Sequence, residues 1–313
     1  MPSPLATRGT FLGRLFVSLL VSVLTRLSRG SRARLEMLAR AMGDAAWLLR
    51  IRRKVALDNL RHAFPELPEA ERRRIARGAY RNMALAAFES VIPPIAADRR
   101  LVWENGELLE RAAAQGKGVL VATAHFGSWE LLGTALARQG LPLHAVVRPL
   151  RGALNERIVQ ARLESGLRLI PSRGAIRGML RALSDGGVVC MLLDQVMPLG
   201  KGVFVPFFGR PASTSPGLSA AARRTGVPVM VAASIRDGDV LRIHVEGPFP
   251  VPHTDDVDAD IRAHTAEITA ALERLIRQHP EQWLWLHRRW KVQPPPAREQ
   301  AVSDVQAQPE PEL

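Results

Sequence analysis

From residue 101 to residue 278 the chain alternates short apolar runs with amphipathic stretches, and this alternation constrains the fold more than any other feature. Short apolar runs bounded by turn residues predict buried strands, whereas apolar residues spaced three or four apart predict helices. When strands and helices alternate along a chain, they usually form one mostly parallel sheet that is covered by helices. The predicted fold class is therefore α/β, with a mixed, largely parallel sheet flanked by helices.

The individual elements follow from the same pattern. Strands are expected at 118–124, 143–147, 167–171, 188–193, 227–235 and 240–246. Helices are expected at 129–138, 153–165, 175–183, 215–225 and 261–278. The apolar segment 204–208 contains a proline and is predicted to be an irregular loop.

The stretch 119–132 carries the clearest chemical signal, because an apolar run ends at His125 and a new helix begins after a short turn. Ligands of open α/β sheets bind beyond the carboxyl ends of strands. Glu130 falls in the first turn of the following helix, near enough to hydrogen-bond His125. An imidazole paired with a carboxylate can take a proton from a hydroxyl group. The pair therefore predicts group transfer onto an alcohol.

Two further polar side chains, Arg148 and Asp194, also follow predicted strands and are expected at the same edge of the sheet. Other catalytic schemes lack their motifs: the sequence contains no G-x-S-x-G, no Walker A segment, no G-x-G-x-x-G after a strand and no H-E-x-x-H. The single cysteine, Cys190, lies in an apolar run and is interpreted as a buried packing residue. It excludes disulfides within the chain and cysteine-based zinc sites.

Several sequence blocks follow one another in a characteristic order. They are AHFGSWE at 124–130, VVRPL at 146–150, ARLESG at 161–166, IPSRGAIRGMLRAL at 170–183, LLDQ at 192–195, GVFVPFFGRPASTSPG at 202–217, AARRTGVPV at 221–229 and PEQWLWLHRRWK at 280–291. Together they resemble the lysophospholipid acyltransferase superfamily and, within it, the late acyltransferases of lipid A biosynthesis. The first block carries the H-x4-[DE] signature of that superfamily, in its Glu form.

The resemblance implies a glycerolipid acyltransferase-like fold and the transfer of an acyl group from a thioester to an acceptor hydroxyl. His125 is then expected to be the general base, and Glu130 to hold the imidazole in the right tautomer. Arg162, spaced after the motif as the functional Arg of the family is, is expected to stabilise the oxyanion, helped by backbone N–H groups near Gly127. No enzyme nucleophile, metal ion or organic cofactor is required by this scheme.

Three further residues are expected to contact a substrate, and each of them has an alternative role. Arg148 is expected to bind a phosphate of the acceptor or donor, although the roles of Arg148 and Arg162 could be exchanged. Asp194 could orient the site or cap a loop, and Phe207 could line the acyl-chain groove or pack against the sheet. The resemblance points to an acyl-acyl carrier protein donor, with acyl-CoA as the alternative.

The charge of the chain is concentrated at its amino end. Residues 1–80 contain 16 Lys/Arg and 6 Asp/Glu, which is a net charge of +10 out of +13 for the whole chain. A basic region beside apolar helices suits an anionic membrane surface. No basic stretch is interleaved with aromatic residues and no nucleic-acid motif occurs, so nucleic acid is not an expected partner.

The amino-terminal segment 1–34 is interpreted as a membrane anchor. The uncharged apolar run 15–25 would rise about 16 Å as a helix, which is short of the roughly 30 Å hydrocarbon core. A longer helix over 9–27 would nearly span the hydrocarbon core, provided that the Arg14 side chain extends towards the lipid headgroups. No small-residue cleavage site follows the run, so we expect an uncleaved helix that lies in the interface or just spans the membrane. The alternative is an ordinary amphipathic helix packed on the core.

The remaining chain is divided into an acyltransferase domain at 35–293, with a helical lead-in at 35–100 and an α/β core at 101–293, and a disordered tail at 294–313. The tryptophans of the last block, with the neighbouring arginines and lysine, could form a membrane-interface cluster, or the rings could be core residues beside solvated charges.

The predicted function is acylation of a glycolipid precursor, with lipid A as the leading acceptor, at the cytoplasmic face of a bacterial inner membrane. Another membrane glycolipid, such as a phosphatidylinositol mannoside, is an alternative acceptor. A non-catalytic membrane scaffold of the same fold is the alternative from a different functional class.

Overall fold

The computed structural model describes residues 6–7, 11–28, 31–91 and 100–295. The strands are β1 (Ala6–Thr7), β2 (Arg100–Glu104), β3 (Val119–Thr123), β4 (Leu143–Val147), β5 (Leu150–Arg151), β6 (Arg168–Pro171), β7 (Val188–Leu192), β8 (Val203–Phe207), β9 (Arg210–Thr214), β10 (Val229–Asp237) and β11 (Val240–Phe249). The helices are α1 (Phe11–Ser28), α2 (Arg32–Leu48), α3 (Arg53–Ala63), α4 (Glu69–Glu89), α5 (Gly106–Ala114), α6 (Trp129–Arg138), α7 (Ala153–Glu164), α8 (Ala175–Ser184), α9 (Gly217–Thr225) and α10 (Val257–Gln278), followed by a 3-10 turn at Pro280–Gln282.

The main sheet has seven strands in the order β2-β11-β10-β3-β7-β4-β6. Strands β10 and β11 form an antiparallel hairpin, and every other neighbouring pair in this sheet is parallel. The prediction of a mixed, largely parallel sheet is therefore confirmed. All the strands and helices expected between 118 and 278 are present, with ends that differ by a few residues.

Each face of the sheet has its own apolar core. Leu120 and Ala122 of β3 pack in a cluster with residues of α3, α4, α8, α9 and α10. Val119 and Val121 of the same strand pack in a second cluster with residues of α5 and α6. Because successive side chains of a strand point to opposite faces, a continuous apolar run is what a strand covered on both faces requires.

The register of the central strands places the candidate site residues at one edge. Strands β3 and β7 pair up to Thr123 and Leu192, so the chain leaves both strands at the same level. His125 and Asp194 each follow two residues later, and Arg148 follows β4 on the other side of β7. The sheet therefore brings three polar side chains from distant parts of the sequence to its carboxyl edge.

Two regions differ from the sequence prediction. The segment 204–208, predicted to be an irregular loop, contributes most of β8, which pairs with β9 in an antiparallel hairpin. Its proline, Pro206, faces Pro211 within this two-stranded sheet, where a missing N–H removes no bond to a further strand. Strand β2 and helix α5 were not predicted, because the pattern at 100–114 is shorter and more polar than in the central strands.

The amino-terminal segment is helical over Phe11–Ser28, as expected. Helix α1 contacts α2 and α7, yet it leaves large side chains such as Phe11, Leu12 and Phe16 mostly exposed. The membrane-anchor role of this helix stays a prediction, as does its alternative. Within the described ranges, no helix combines the length and the apolar character needed to cross a membrane. The predicted tail lies outside the described residues from 296 onwards.

Buried histidines make the stability of this fold dependent on pH. His264 is fully buried, with Nδ1 3.0 Å from Ser219 Oγ and Nε2 3.1 Å from the carbonyl oxygen of Phe249. Burial lowers the pKa of His264, and burial likewise lowers the pKa of three partly exposed histidines, His62, His144 and His287.

A histidine whose folded pKa is lowered binds more protons in the unfolded chain at pH values between the folded pKa and about 6.5. The free energy of unfolding is therefore expected to decrease as the pH falls below about 6.5. Urea denaturation at about pH 7.5 and about pH 5.5 measures the effect, and His264→Gln should reduce it. Equal unfolding free energies at the two pH values would contradict the prediction.

Candidate active site

His125 is held by Asp194 from the neighbouring strand end. The imidazole Nδ1 lies 2.9 Å from Asp194 Oδ1, and the backbone N–H of His125 donates to Asp194 Oδ2 at 2.9 Å. An ionised carboxylate can only accept hydrogen bonds, so the proton of the neutral imidazole is on Nδ1 and Nε2 is left as the acceptor. The His125 side chain is 23% exposed, whereas that of Asp194 is 2% exposed. The imidazole of His125 is therefore partly open to solvent, whereas the carboxylate of Asp194 is closed to it.

Asp194 receives a further hydrogen bond from the carboxyl-terminal part of the chain. The indole N–H of Trp283 donates to Asp194 Oδ2 at 2.9 Å. Burial alone raises the pKa of this carboxyl group, but the charge of His125 and the hydrogen bonds from His125 and Trp283 lower it overall. Asp194 is therefore ionised at neutral pH and can stabilise a positive imidazole.

Glu130 does not hold His125, and the predicted hydrogen bond between them is wrong within the described residues. Both carboxylate oxygens of Glu130 bind Arg162, with Nε donating at 3.0 Å and Nη2 at 2.5 Å. The physical reason is the position of Glu130 on α6, which directs its side chain towards α7 and a guanidinium that can bind it bidentately. Burial lowers the pKa of Arg162, but the charge of Glu130 and its hydrogen bonds raise it overall.

Trp129 connects this ion pair to the base. Its indole N–H donates to Glu130 Oε1 at 3.1 Å. Its ring packs edge to face against the imidazole of His125, with 5.2 Å between the ring centroids and 63° between the planes. Glu130 is therefore linked to His125 through the tryptophan ring that packs against the imidazole. The oxyanion role expected for Arg162 stays a prediction.

The turn between His125 and α6 is held in place by close packing and hydrogen bonds at Gly127. This residue has a φ of +56°, and a Cβ atom added to it would lie 1.7 Å from the carbonyl oxygen of Ser234. Its N–H donates to the carbonyl oxygen of Gln282 at 3.0 Å. Its carbonyl oxygen accepts from Asn82 Nδ2 at 3.2 Å and from Arg236 Nη2 at 3.3 Å. The Gly127 N–H is therefore already used and is not available to an oxyanion, so it is not one of the helping N–H groups expected near this residue.

A buried ion pair behind this turn was missed by sequence reasoning. Glu89 and Arg236, whose side chains are 2% and 11% exposed, are joined by a hydrogen bond of 2.6 Å from Arg236 Nη1 to Glu89 Oε1. Ser128 Oγ also donates to Glu89 Oε2 at 2.6 Å. The two charged residues are far apart in the sequence and belong to no motif, so only the fold brings them together.

Two other residues at this edge of the sheet have different surroundings. Arg148 is exposed and forms no ion pair with any residue of the described ranges, so its phosphate-binding role stays a prediction. Gln195, the last residue of the LLDQ block, brings its Nε2 to 3.4 Å from His125 Nε2. Its side-chain amide is a hydrogen-bond donor directly beside the imidazole.

Phe207 is buried and cannot line an open groove, which corrects the prediction that it binds the acyl chain. Its ring packs against Phe208, Trp283 and Trp290. A ring enclosed on these sides leaves no surface for a ligand. Its neighbour Phe204 instead borders an open cavity of about 490 Å³.

The carboxyl-terminal tryptophan cluster is part of the core. Trp283 and Trp285 are fully buried, which decides against a membrane-interface role for them. Arg289 is fully buried as well, so it is not a solvated charge. It donates to the carbonyl oxygen of Ser213 at 2.7 Å and to Thr214 Oγ1 at 2.5 Å, and burial lowers its pKa to about 10.

Cys190 is a buried residue of β7, as predicted. Burial raises the pKa of its thiol to about 12. A thiol is nucleophilic only as the thiolate, so Cys190 is unreactive near neutral pH. Within the described ranges, no group of His, Cys, Asp and Glu side chains has the arrangement of a metal site.

The protein family described as bacterial lipid A biosynthesis acyltransferase matches residues 8–292. The chain belongs to this family. The resemblance inferred from the sequence blocks is therefore confirmed, and the chain is an O-acyltransferase that transfers an acyl group from a donor to a glycolipid acceptor.

Relatives with curated names agree with this assignment. A lipid A biosynthesis palmitoleoyltransferase of Escherichia coli (strain K12) is 30% identical over 254 residues, covering 79% of this chain and 81% of the relative. A lipid A biosynthesis lauroyltransferase of the same organism is 30% identical over 78% of this chain and 80% of the relative. A phosphatidylinositol mannoside acyltransferase of Mycobacterium tuberculosis (strain ATCC 25618 / H37Rv) is 26% identical over 58% of this chain and 57% of the relative.

Proposed function

We propose that this acyltransferase moves a fatty acyl chain from an acyl thioester to a hydroxyl of a lipid A precursor, with His125 as the general base and Asp194 as its partner. The observation that carries the proposal is the contact of 2.9 Å between His125 Nδ1 and the buried Asp194 carboxylate. It leaves Nε2 as a proton acceptor at the exposed carboxyl edge of the sheet, in a chain whose family transfers acyl groups to glycolipids.

The reaction needs no nucleophile from the protein. His125 Nε2 takes the proton of the acceptor hydroxyl while the hydroxyl oxygen attacks the thioester carbonyl carbon. Asp194 stabilises the imidazolium that forms, as the carboxylate of a catalytic triad does. The tetrahedral intermediate then expels the thiolate, which takes the proton from His125. The products are an ester and a free thiol, and His125 returns to its starting tautomer.

The oxyanion of the intermediate needs hydrogen-bond donors that are already in place. We assign the side-chain amide of Gln195 to this role, because it is exposed and its Nε2 lies 3.4 Å from His125 Nε2. Arg162 would support the site by holding Glu130, which in turn holds Trp129 against the imidazole.

The proposal also includes an acyl donor and a membrane surface as partners. The donor would be an acyl-acyl carrier protein, with acyl-CoA as the alternative, and Arg148 would bind a phosphate of a substrate at the carboxyl edge of the sheet. Helix α1 exposes its apolar side chains between Arg14 and Arg26, which suits an anionic membrane surface. These features support a location at the cytoplasmic face of a bacterial inner membrane.

Lipid A is favoured over a mannoside as the acceptor. The lipid A palmitoleoyltransferase matches 81% of its own length at 30% identity, whereas the mannoside acyltransferase matches 57% at 26% identity. The complete pair of His125 and Asp194 also favours catalysis over a non-catalytic scaffold of the same fold.

The His125→Ala chain is expected to behave like a deletion, because the imidazole that removes the proton is gone. Mass spectrometry of membrane lipids from bacteria with and without the chain should show one acyl chain gained on a lipid A precursor. His253→Ala is the matched control, because His253 is exposed and, among the described residues, its ring contacts the carbonyl oxygen of Val251 at 3.1 Å.

Full acylation by the His125→Ala chain would overturn the base assignment. A mass gain on a different glycolipid would replace lipid A as the acceptor. No change in any glycolipid would favour the scaffold alternative.

A further inference from the structure

The turn between α2 and α3 exposes a cluster of large apolar side chains. Leu48, Leu49 and Ile51, here called the apolar tip, are 74%, 73% and 51% exposed. Single exposed apolar residues are ordinary on protein surfaces, but neighbouring ones that project together usually mark an interaction site. The tip is not part of α1 and was not identified by the sequence motifs.

The apolar tip is held in place by hydrogen bonds beneath it. The N–H of Leu49 donates to the carbonyl oxygen of Ala45 at 2.9 Å, and that of Ile51 donates to Ala46 at 3.1 Å. The buried Tyr80 donates its hydroxyl to the carbonyl oxygen of Ile51. The exposed side chains therefore project from a defined turn.

The backbone of this turn is conformationally costly. Arg50 and Arg52 have φ values of +58° and +54°, in the left-handed region that side-chain-bearing residues rarely adopt. Arg53 stabilises the base of the turn by placing its guanidinium 4.4 Å from the ring centroid of Trp47. A strained conformation that keeps apolar side chains exposed is more readily explained by an interaction than by packing.

The positive charges near the apolar tip favour an anionic partner. Arg50, Arg52 and Lys54 are exposed and alternate with or directly follow the apolar residues along the turn. The carboxylate in this part of α3, Asp58, lies 2.9 Å from Arg61 and 3.8 Å from Lys54. Apolar side chains that enter the acyl boundary, with cations beside the lipid phosphates, match an anionic bilayer. A second copy of the chain docked tip to tip would instead bring like charges together.

The helix that follows the tip is hydrogen-bonded to a segment that also contacts the site. In α3, Asn59 donates to the carbonyl oxygens of Trp285 and His287 at 2.7 Å each. The N–H of Val196, two residues after Asp194, donates to His287 Nε2 at 3.1 Å. The turn and the catalytic pair are thus joined through one short segment of the chain.

Charge effects agree with this placement. Burial lowers the pKa of His287, the charge of Asp194 raises it, and the positive charges of Arg289, His125 and Arg52 lower it, so that it is lowered overall. The His287 imidazole is therefore near enough to be affected by both His125 and Arg52.

We propose that the apolar tip inserts into an anionic bilayer at a point separate from α1 and places the mouth of the site at the level of the lipid headgroups. The proposal rests on the proposed membrane-surface function. It adds a second contact, and contacts along α1 and at the tip together restrict how the chain can lie on a surface. The acceptor hydroxyl would then reach His125 without leaving the interface.

A single-site fluorescent label tests the insertion. Since Cys190 is buried and its thiol is unreactive, a Leu49→Cys chain can be labelled at one position with an environment-sensitive probe. On vesicles of phosphatidylethanolamine and phosphatidylglycerol, the probe emission should shift to the blue and rise about twofold as the probe enters an apolar layer. Vesicles of phosphatidylcholine alone should give a smaller change.

Probes at two other positions serve as controls for the insertion experiment. Leu19→Cys reports on α1, where Leu19 is 60% exposed. Val257→Cys is the negative control, because Val257 is 49% exposed and begins α10 shortly after β11. Through β10, the last residue of β11 is level with the first residues of β3, at the edge of the sheet opposite to the site. Arg52→Glu in the Leu49→Cys chain should weaken the response to anionic vesicles.

A response at Leu19 with none at Leu49 would overturn the proposal. A response at Leu49 that grows with protein concentration in the absence of vesicles would replace the bilayer with a second copy of the chain. Insertion is measured without an acyl donor, so its outcome is independent of acyl transfer. Failure of the proposed function would appear in the lipid analysis, with the vesicle response unchanged.

Discussion

Asp194→Asn should reduce kcat for acyl transfer by about 10³- to 10⁴-fold, as the same change does in a Ser-His-Asp triad. The carboxylate accepts hydrogen bonds from the imidazole Nδ1, from the backbone N–H of His125 and from Trp283. An amide has one oxygen for these donors and no charge to stabilise the imidazolium. The measurement is kcat and KM with a fixed acyl thioester and a dispersed glycolipid acceptor.

Glu130→Gln is the matched control for this prediction. It also neutralises a carboxylate of the candidate site, but it leaves the contact between His125 and Asp194 unchanged. We expect a smaller decrease in kcat together with a lower unfolding midpoint, because Arg162 loses its charged partner. If Glu130→Gln abolished transfer while Asp194→Asn kept most of it, the assignment of Asp194 as the partner of the base would be wrong.

Gly127→Ala should leave little or no folded, active protein. The alanine Cβ would lie 1.7 Å from the carbonyl oxygen of Ser234, a fully buried residue of β10. Neither atom can move cheaply, because the Gly127 backbone is bonded to Gln282, Asn82 and Arg236. The unfavourable φ costs about 1 kcal/mol, and the displacement of the turn or of β10 adds to it. Soluble yield, thermal midpoint and acyl transfer measure the outcome.

Gly140→Ala separates the clash from the backbone effect. Gly140 has a φ of +76°, and a Cβ atom there would meet no atom within 4 Å. Its alanine variant should therefore lose only about 1 kcal/mol and keep its activity. If Gly127→Ala were no more harmful than Gly140→Ala, the close approach to Ser234 would not be a constraint on the site.

Much of the α/β core could be predicted from the sequence. The central strands are continuous apolar runs, because both of their faces are covered, and the helices between them carry apolar residues at helical spacing. The hairpin of β8 and β9 was harder, because Pro206 and Pro211 are rare inside sheets and a two-stranded sheet tolerates them. Strand β2 was missed because its side chains are only partly buried, so it lacks the strong apolar pattern.

The sequence predicted where the candidate site lies, but not which carboxylate contacts His125. His125 and Asp194 both followed apolar strands, and the topology of open sheets then placed them at one edge. Glu130 was chosen as the partner because it is near His125 in sequence, yet the side chain on the adjacent strand end is the one in contact. The ion pair of Glu89 and Arg236 and the indole of Trp283 carried no local signal at all.

The order of the core strands and helices and the family could be predicted from the sequence, because these depend on local patterns and ordered motifs. The contact between His125 and the Asp194 carboxylate, the use of the Gly127 N–H and the burial of Trp283 and Arg289 became visible in the folded chain. The physical reason is that hydrogen bonds and ion pairs depend on distance in space. Asp194 is 69 residues from His125 in the sequence, and the register of β3 and β7 brings them together.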